Sequence, residues 1–527
     1  MESRHNRCSR PRGWPVREPA YGDNVASDAP DDIHRRPLSH GVSWSFGNTL
    51  VTKIAGMMIT IFVVRIVSPY DFGVFAVALV VYVIVSALCE LGLSSCIARR
   101  DVELADAASV VTALSMMSSF TLATAMFFAS APIAAALGAP EAQTAIQILA
   151  IPILLSSFTA VSSAILVRDF RQGRLFAATA IAFIPSNAVL IILALHGDGA
   201  LAFAWSRVVG VVISGAVVIA STRPWYGPRW NSAQAAKVLK FGVPLAGANF
   251  LNYMLLNADA AFIAALAGPA LLGIYTLAFS VASWSTSILG GTINSVAMPA
   301  FSALRRDPEQ LREALLRWSR VVALAALPVS ALTVALSAEI VEVLYGAKWS
   351  PAAPVLAILA VYGGIFVLTL LLSNLLVGIG RTGRVFLIQA VWLLALLPAI
   401  AAGVAVLGVR GAAIAHVVVI VVVVIPMYMW ALGPVLDSVP RILGKAVGAP
   451  LLAATLAAGT AYLAMASFEG HLLRLAVGGT TGLAVYLVAA LPMMRSYLPA
   501  GILARLSLYL AFHSWVLRGL QGKWAKS

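Results

Sequence analysis

The chain has 527 residues, of which 60% are hydrophobic and only 11% are charged. Because an ordinary soluble domain carries about 25% charged residues, this composition excludes a string of soluble domains and indicates a polytopic membrane protein. The formal net charge of +14 is read by position, since Lys and Arg set the orientation of a membrane protein. Three cysteines, Cys8, Cys89 and Cys96, lack metal-ligand spacing and indicate neither a zinc site nor a disulfide framework.

The two ends of the chain lie outside the predicted membrane spans. Residues 1–40 are predicted to form a disordered cytoplasmic tail, because they are rich in Arg, Asp, Pro and Ser and lack the apolar core of a signal peptide. Residues 496–527 are predicted to be a cytoplasmic amphipathic tail. Its stretch 501–520 has a narrow polar stripe at helical spacing, which favours an interfacial helix over a fifteenth span.

From Gly41 onward, mostly apolar runs alternate with short polar connections. A helix needs about 20 apolar residues to cross a bilayer, and it satisfies its own backbone there. The pattern predicts an all-α polytopic membrane protein with about fourteen transmembrane helices, here called spans 1 to 14, near 43–67, 73–98, 107–131, 146–167, 175–195, 199–221, 241–266, 271–298, 319–344, 352–377, 385–407, 411–432, 446–467 and 472–492.

The two halves of the chain contain similar segments at equivalent positions. Ser68–Phe75 aligns with Gly268–Tyr275 at an offset of 200 residues, and Arg171–Phe176 aligns with Arg381–Phe386 at an offset of 210. Six spans per half is an even number, which predicts a parallel repeat about an axis along the membrane normal. The predicted domains are an N-terminal six-helix lobe, a C-terminal six-helix lobe and two additional spans, at 41–222, 223–433 and 434–495.

The basic residues predict the orientation. Eighteen lie in connections after even-numbered spans, and only three lie after odd-numbered spans: Lys348, Arg410 and Arg474. Since Lys and Arg accumulate in cytoplasmic loops, the even-numbered connections and both termini are expected in the cytoplasm. The chain is then a multi-pass membrane protein with both termini inside.

Three basic residues fall inside spans, where a charge is costly and marks a functional candidate. Lys53 and Arg207 lie nearer the middle of spans 1 and 6, which favours a water-filled cavity over a structural ion pair. Arg65 lies near the outer end of span 1, where it either lines the cavity or extends to the lipid headgroups. These three residues are the predicted substrate-binding cations.

Two acidic residues also lie inside spans, Glu90 in span 2 and Asp259 in span 7. Asp259 either binds a coupling cation or proton, or pairs with a basic residue nearby. His416 in span 12 is interpreted as a hydrogen-bonded packing residue rather than a proton relay. Apart from proton or sodium coupling through Asp259 or Glu90, no cofactor and no metal are predicted.

The sequence contains no catalytic constellation, nucleophile motif or phosphate-cradling glycine loop. A membrane polymerase or glycosyltransferase would need substantial outer loops for its acidic groups, whereas the outer connections here have about ten residues or fewer. These observations predict that the protein is not an enzyme.

Several segments resemble the Wzx-type flippases, the polysaccharide-transporter branch of the multidrug/oligosaccharidyl-lipid/polysaccharide exporters. The resemblance covers roughly residues 40–440. It rests on Val64–Gly73, Glu90–Leu93, Asn257–Asp259, Gly273–Ala278, Pro299–Ser302 and Gly346–Trp349. Family members usually have Leu at the position of Val67 and often Asp at that of Glu90.

The resemblance implies two lobes around a central cavity. It also implies a flippase that moves a polyprenyl-diphosphate-linked oligosaccharide across the plasma membrane for cell-surface polysaccharide synthesis. The implied partners are that lipid, the bilayer and polysaccharide polymerase or export machinery, with no nucleic acid. The alternatives are a transporter of the same fold with another cargo, either a peptidoglycan lipid precursor or a drug-like cation, and a membrane glycan polymerase.

Overall fold

The structure, a computed structural model, describes residues 55–89, 97, 104–169, 171–222 and 225–494. Within these residues every regular element is helical, and twelve helical stretches are long and apolar enough to cross a membrane. The predicted all-α polytopic class is therefore confirmed. Lys53, Glu90 and the stretch 501–520 lie outside the described residues, so their predicted roles remain predictions.

The N-terminal half contains spans 1 to 6. Span 1 is described over Ala55–Ile66. The elements after it are span 2 at Pro69–Cys89, span 3 at Leu104–Phe128, a short helix at Ser130–Ala136, span 4 at Ala142–Arg168, span 5 at Gln172–His196 and span 6 at Gly199–Ser221. Span 5 ends where Gly197 adopts φ +90°, a left-handed conformation that glycine accepts without strain.

Spans 7 and 8 are two arms of one helical run, Ser232–Ala303, which breaks at Gly268 with φ +79°. Asp259 and Tyr275 lie on opposite sides of this break. In a continuous helix, sixteen residues would separate them by about 24 Å, yet their side chains share a hydrogen bond of 2.8 Å. The arms therefore fold back on each other, as the prediction of two separate spans requires.

The remaining elements complete the C-terminal half. Span 12 contains a wider helical turn at Ile420–Val424, and span 9 is followed by a short helix. Their bounds are span 9 at Pro308–Ala335, the short helix at Ser337–Tyr345, span 10 at Ala352–Gly378, span 11 at Thr382–Leu407, span 12 at Val409–Leu432, span 13 at Val439–Met465 and span 14 at His471–Met494.

The repeat recurs in the helix bounds and in hydrogen bonds. Spans 4 and 10 each have 27 residues and begin 210 positions apart. At the same offset, the guanidinium of Arg174 donates to the Ser221 carbonyl at 2.6 Å, and that of Arg384 donates to the Ala431 carbonyl at 2.5 Å. In each half, an arginine at the start of one span thus binds the carbonyl end of the next.

The two halves also contact each other through equivalent residues. A Cβ on Gly73 of span 2 would overlap the carbonyl oxygen of Pro269, and a Cβ on Gly273 of span 8 would overlap that of Pro69. Such reciprocal contacts are those of two elements related by a twofold axis. Glycine is required at both positions because the backbones of spans 2 and 8 touch.

Two further contacts complete the bundle. Span 14 packs on span 9 through small residues, since a Cβ on Gly482 would meet Leu332 of span 9 and a Cβ on Gly478 would meet Leu336, the residue after it. At the opposite end from Pro69, the connection after span 6 crosses span 3, where Thr112 donates to the Tyr226 carbonyl at 3.1 Å. The predicted lobe boundaries remain predictions.

Candidate functional site

A buried polar cluster lies between spans 7, 8 and 12. The Asp259 carboxylate, 6% exposed, accepts a hydrogen bond from the Tyr275 hydroxyl at 2.8 Å. Nε2 of His416 lies 2.9 Å from the Tyr275 oxygen and 3.4 Å from the carboxylate. The hairpin at Gly268 brings the acid and the tyrosine together, and span 12 supplies the histidine.

One assignment of protons satisfies both short contacts of the tyrosine hydroxyl. In it, Tyr275 donates its proton to Asp259, and Nε2 of His416 donates to the tyrosine oxygen. The other imidazole nitrogen, Nδ1, is buried without a hydrogen-bond partner among the described residues. A neutral imidazole with its proton on Nε2 leaves Nδ1 as an open acceptor.

A cavity of about 380 Å³ borders this cluster inside the C-terminal half. Asp259 and His416 form part of its wall. The aromatic residues of the lining are Phe279, Tyr362, Phe366, Trp392 and Tyr428. Its neutral polar residues are Ser283, Thr286, Ser287, Thr369, Ser373 and Gln389.

Arg207, one of the predicted cavity cations, lies outside this cluster in the N-terminal half. Its side chain is exposed, and the guanidinium carbon lies 4.6 Å from the centre of the Tyr82 ring of span 2. Arg207 is eight residues into span 6, about 12 Å along the helix from its start. A guanidinium stacked on an aromatic ring keeps its hydrogen-bond donors available for another partner.

Arg65, the second described cation, contacts the other half of the chain. Its guanidinium donates to the carbonyl oxygens of Leu344, at 2.7 Å, and of Val343. Both carbonyls belong to the C-terminal turn of the short helix Ser337–Tyr345, where a positive charge is favourable. The structure therefore gives Arg65 a partner between the two halves, and a contact with substrate remains a prediction.

The reverse contact is made by the connection after span 9. The Lys348 ammonium donates to the Val67 carbonyl at 2.7 Å and to that of Ile66 at 3.1 Å, while the Trp349 indole donates to the Val64 carbonyl at 3.0 Å. Burial lowers the pKa of Lys348 from its usual value. We call Arg65, Lys348 and Trp349, with the carbonyls they bind, the clasp.

Sequence reasoning missed much of this site. Asp259 was predicted, but Tyr275, Tyr362, Trp392 and Gln389 were not. Tyr275 carried a readable signal, because its counterpart at the offset of 200 is Phe75. A hydroxyl present in only one of two equivalent apolar positions marks a place where the halves differ in chemistry.

Comparison with known families decides the wider relationship. The family described as "Polysaccharide biosynthesis protein" matches residues 62–354. The chain belongs to this family. It is 25% identical to the succinoglycan biosynthesis transport protein ExoT of Rhizobium meliloti, over 88% of this chain and 95% of that one. It is 24% identical to the lipopolysaccharide biosynthesis protein WzxC of Escherichia coli, over 77% of this chain and 83% of that one.

Solved structures show the same fold. The inward closed conformation of the lipid II flippase MurJ superposes with a TM-score of 0.69 at 13% identity, covering 85% of this chain and 98% of MurJ. An inward-facing multidrug resistance MATE family transporter gives 0.58 at 18% identity, covering 74% of this chain and 94% of that one. The resemblance to Wzx-type polysaccharide flippases and the polytopic helical fold are thus confirmed.

Proposed function

We propose that the protein moves a polyprenyl-diphosphate-linked oligosaccharide from the cytoplasmic to the outer leaflet for cell-surface polysaccharide synthesis. The family membership, the names of ExoT and WzxC and the shared fold of MurJ support a transport role rather than catalysis. The observation that carries the proposal is the pair of like-oriented halves meeting at equivalent glycines. Parallel repeats of this kind can rock about a site between them.

Alternating access follows from where the halves meet. Gly73, Gly273 and the clasp lie at or beside connections after odd-numbered spans. The distribution of Lys and Arg assigns those connections to the outer side and both termini to the cytoplasm. In this arrangement the outer end of the passage is closed, and release of the lipid headgroup outside requires the clasp to open.

The diphosphate needs a cation along the passage. Among the residues that the structure describes, Arg207 is our candidate. It is exposed at an intermediate depth of span 6, where a guanidinium facing lipid would be costly. Its forked donors match phosphate oxygens. Lys53 joins this proposal from the sequence alone.

We further propose that the coupled ion is a proton and that it binds Nδ1 of His416. His416 lines the cavity with its Nδ1 unpartnered, and the Asp259 carboxylate lies 3.4 Å from Nε2 as the counter-charge for a bound proton. The unpartnered nitrogen favours this interpretation over a purely packing role for His416. Sodium coupling is the competing outcome, and it would appear as a sodium requirement at constant pH.

Arg207→Ala tests the transport role in a strain that lacks the chromosomal copy. We expect surface polysaccharide to fall about tenfold, because one charged phosphate contact is lost, while the amount of protein in the membrane stays constant. Arg312→Ala removes an exposed arginine paired with Glu309 and is the matched control. Normal polysaccharide from Arg207→Ala would remove this residue from the mechanism.

A further inference from the structure

The cavity beside Asp259 is of a size that binds small molecules. Its volume of about 380 Å³ falls within the roughly 300–1,000 Å³ of ordinary ligand sites. Spans 8, 10, 11 and 12 supply its aromatic and hydroxyl-bearing lining, so the walls are held by helices. The proton site described above accounts for one corner and leaves the rest of the volume unexplained.

The charges of the lining restrict the ligand. Among the residues that the structure describes, no Lys or Arg lines the cavity, so it is unsuited to a diphosphate. Asp259, the carboxylate of this lining, already accepts a hydrogen bond from Tyr275 and lies beside His416. It therefore has little free negative charge with which to bind an organic cation. A neutral ligand that combines apolar faces with many hydroxyl groups fits the remaining surface.

One buried donor in the wall lacks a partner. Nε1 of Trp392 is buried and makes no hydrogen bond within the described ranges. An indole nitrogen can only donate, so it calls for an acceptor from inside the cavity. Gln389 lies one turn earlier on the same face of span 11 and also lines the cavity. Together they offer an aromatic plane, an N–H donor and an amide.

The exposed part of the cavity lining lies on span 8. Ser287 is its exposed lining residue on span 8. It lies fourteen residues, about four turns, beyond Gly273, so both residues lie on the same face of the helix. Gly273 contacts span 2. The mouth at Ser287 therefore faces the space between the halves, where the proposed substrate passes.

We propose that this cavity is a subsite for one neutral sugar ring of the glycan headgroup. A pyranose ring has C–H faces that pack on aromatic rings and hydroxyl groups around its edge. Trp392 provides its ring and its N–H, while Gln389 and the hydroxyls of Thr286 and Ser373 bind the sugar edge. The subsite rests on the proposed function and divides recognition, with the sugar held in the C-terminal half and the diphosphate near Arg207.

Native mass spectrometry of the full chain in lipid nanodiscs tests the subsite. The probes are decaprenyl diphosphate and the same lipid carrying one glucose, galactose, mannose or N-acetylglucosamine. We expect at least one sugar-bearing probe to bind more tightly than the bare lipid. Trp392→Phe keeps a ring but removes the donor, and it should weaken that probe about tenfold while changing the bare lipid less than about twofold.

Matched variants keep the result decisive. Trp225→Phe changes an exposed tryptophan outside the cavity lining and should leave both affinities unchanged. Gln389→Leu is a second variant, which replaces Trp392→Phe in the test if the Trp392→Phe protein folds poorly. It should also weaken the sugar-bearing probe and not the bare lipid. Equal weakening of both probes, or no weakening, would overturn the subsite.

The wild-type protein separates the two proposals. Equal binding of the bare and all sugar-bearing lipids overturns the subsite and leaves the flippase proposal standing. If the protein binds none of these lipids but binds tetraphenylphosphonium, a drug-like cation, both proposals fail.

Discussion

The two halves share a scaffold and differ in what fills it. In the C-terminal half, Tyr275 bonds Asp259 and His416. In the N-terminal half, the equivalent Phe75 stacks on Phe203 with ring centres 4.8 Å apart. At offsets of 200 and 210, the counterparts of Asp259, His416, Tyr362 and Trp392 are Ile59, Ser206, Pro152 and Ala182.

This difference shows which half contains a group that folding alone does not require. At the equivalent position in the N-terminal half, Phe75 packs on an aromatic ring, and none of the charged side chains that the structure describes in that half is buried. A buried carboxylate is expensive unless it is paired, so the C-terminal half carries a cost that packing alone does not explain. We propose from this comparison that proton coupling resides in the C-terminal half, and each prediction below tests the difference between the halves.

The largest effect is expected at Asp259. Asp259→Asn removes the negative charge 3.4 Å from Nε2 of His416, and transport should fall by roughly ten- to a hundredfold, since hydrogen bonds to charged groups contribute about 1.5–3 kcal/mol. The measurement is the rate at which a sugar-bearing lipid probe moves from one leaflet of proteoliposomes to the other, followed at several pH values. Glu309→Gln, at an exposed acid, is the control. Wild-type transport with an unchanged pH profile in Asp259→Asn would contradict coupling at this site.

The second prediction tests the symmetry of the contact between the halves. Gly73→Ala and Gly273→Ala each place a methyl group on a proline carbonyl, so each should destabilise the protein by about 1–3 kcal/mol. The apparent melting temperature in detergent reports the loss. Gly173→Ala and Gly383→Ala are an equivalent pair in open space and should be almost neutral. A loss in only one of the first pair would break the proposed symmetry.

The fold was largely readable from the sequence, and these glycines show why. Apolar runs of bilayer length, and Gly73 and Gly273 aligned at a fixed offset, predicted the spans and the repeat. Trp392 and Tyr362 could not be predicted as cavity residues. Their roles depend on which face of a uniformly apolar helix points inward, and a membrane span carries little amphipathic signal. The depth of Arg65 in its span could be predicted from the sequence, but its partner carbonyls on a distant helix could not.

Exchanging the equivalent aromatic residues should give two smaller effects of different kinds, a loss of transport in one variant and a loss of stability in the other. Tyr275→Phe removes a donor to Asp259 and should reduce transport severalfold without unfolding the protein. Phe75→Tyr introduces a hydroxyl among apolar rings and should lower stability by about 1–3 kcal/mol with little effect on coupling. Melting temperature and transport, measured on both variants, provide the test. The same profile for both would show that the halves do not differ in function.

The smallest expected effect concerns the clasp. Arg65→Ala and Lys348→Ala each remove hydrogen bonds across the outer end, and each should shift the equilibrium toward the open form about fivefold. Labelling of Thr286→Cys by a membrane-impermeant maleimide from outside, in a chain without its three native cysteines, measures opening. Arg410→Ala changes another exposed cation on the same side and is the control. Labelling at an unchanged rate would show that the clasp does not hold this end closed.

The central claim is that this chain carries the lipid-linked oligosaccharide across the bilayer. The most direct measurement is the leaflet distribution of that lipid in a deletion strain, read by an impermeant lectin or glycosidase on spheroplasts. The account predicts that the lipid accumulates in the inner leaflet of the deletion strain. It reaches the outer leaflet when the wild-type chain is restored, and about tenfold less of it does so with Arg207→Ala. Normal delivery to the outer leaflet in the deletion strain would contradict it.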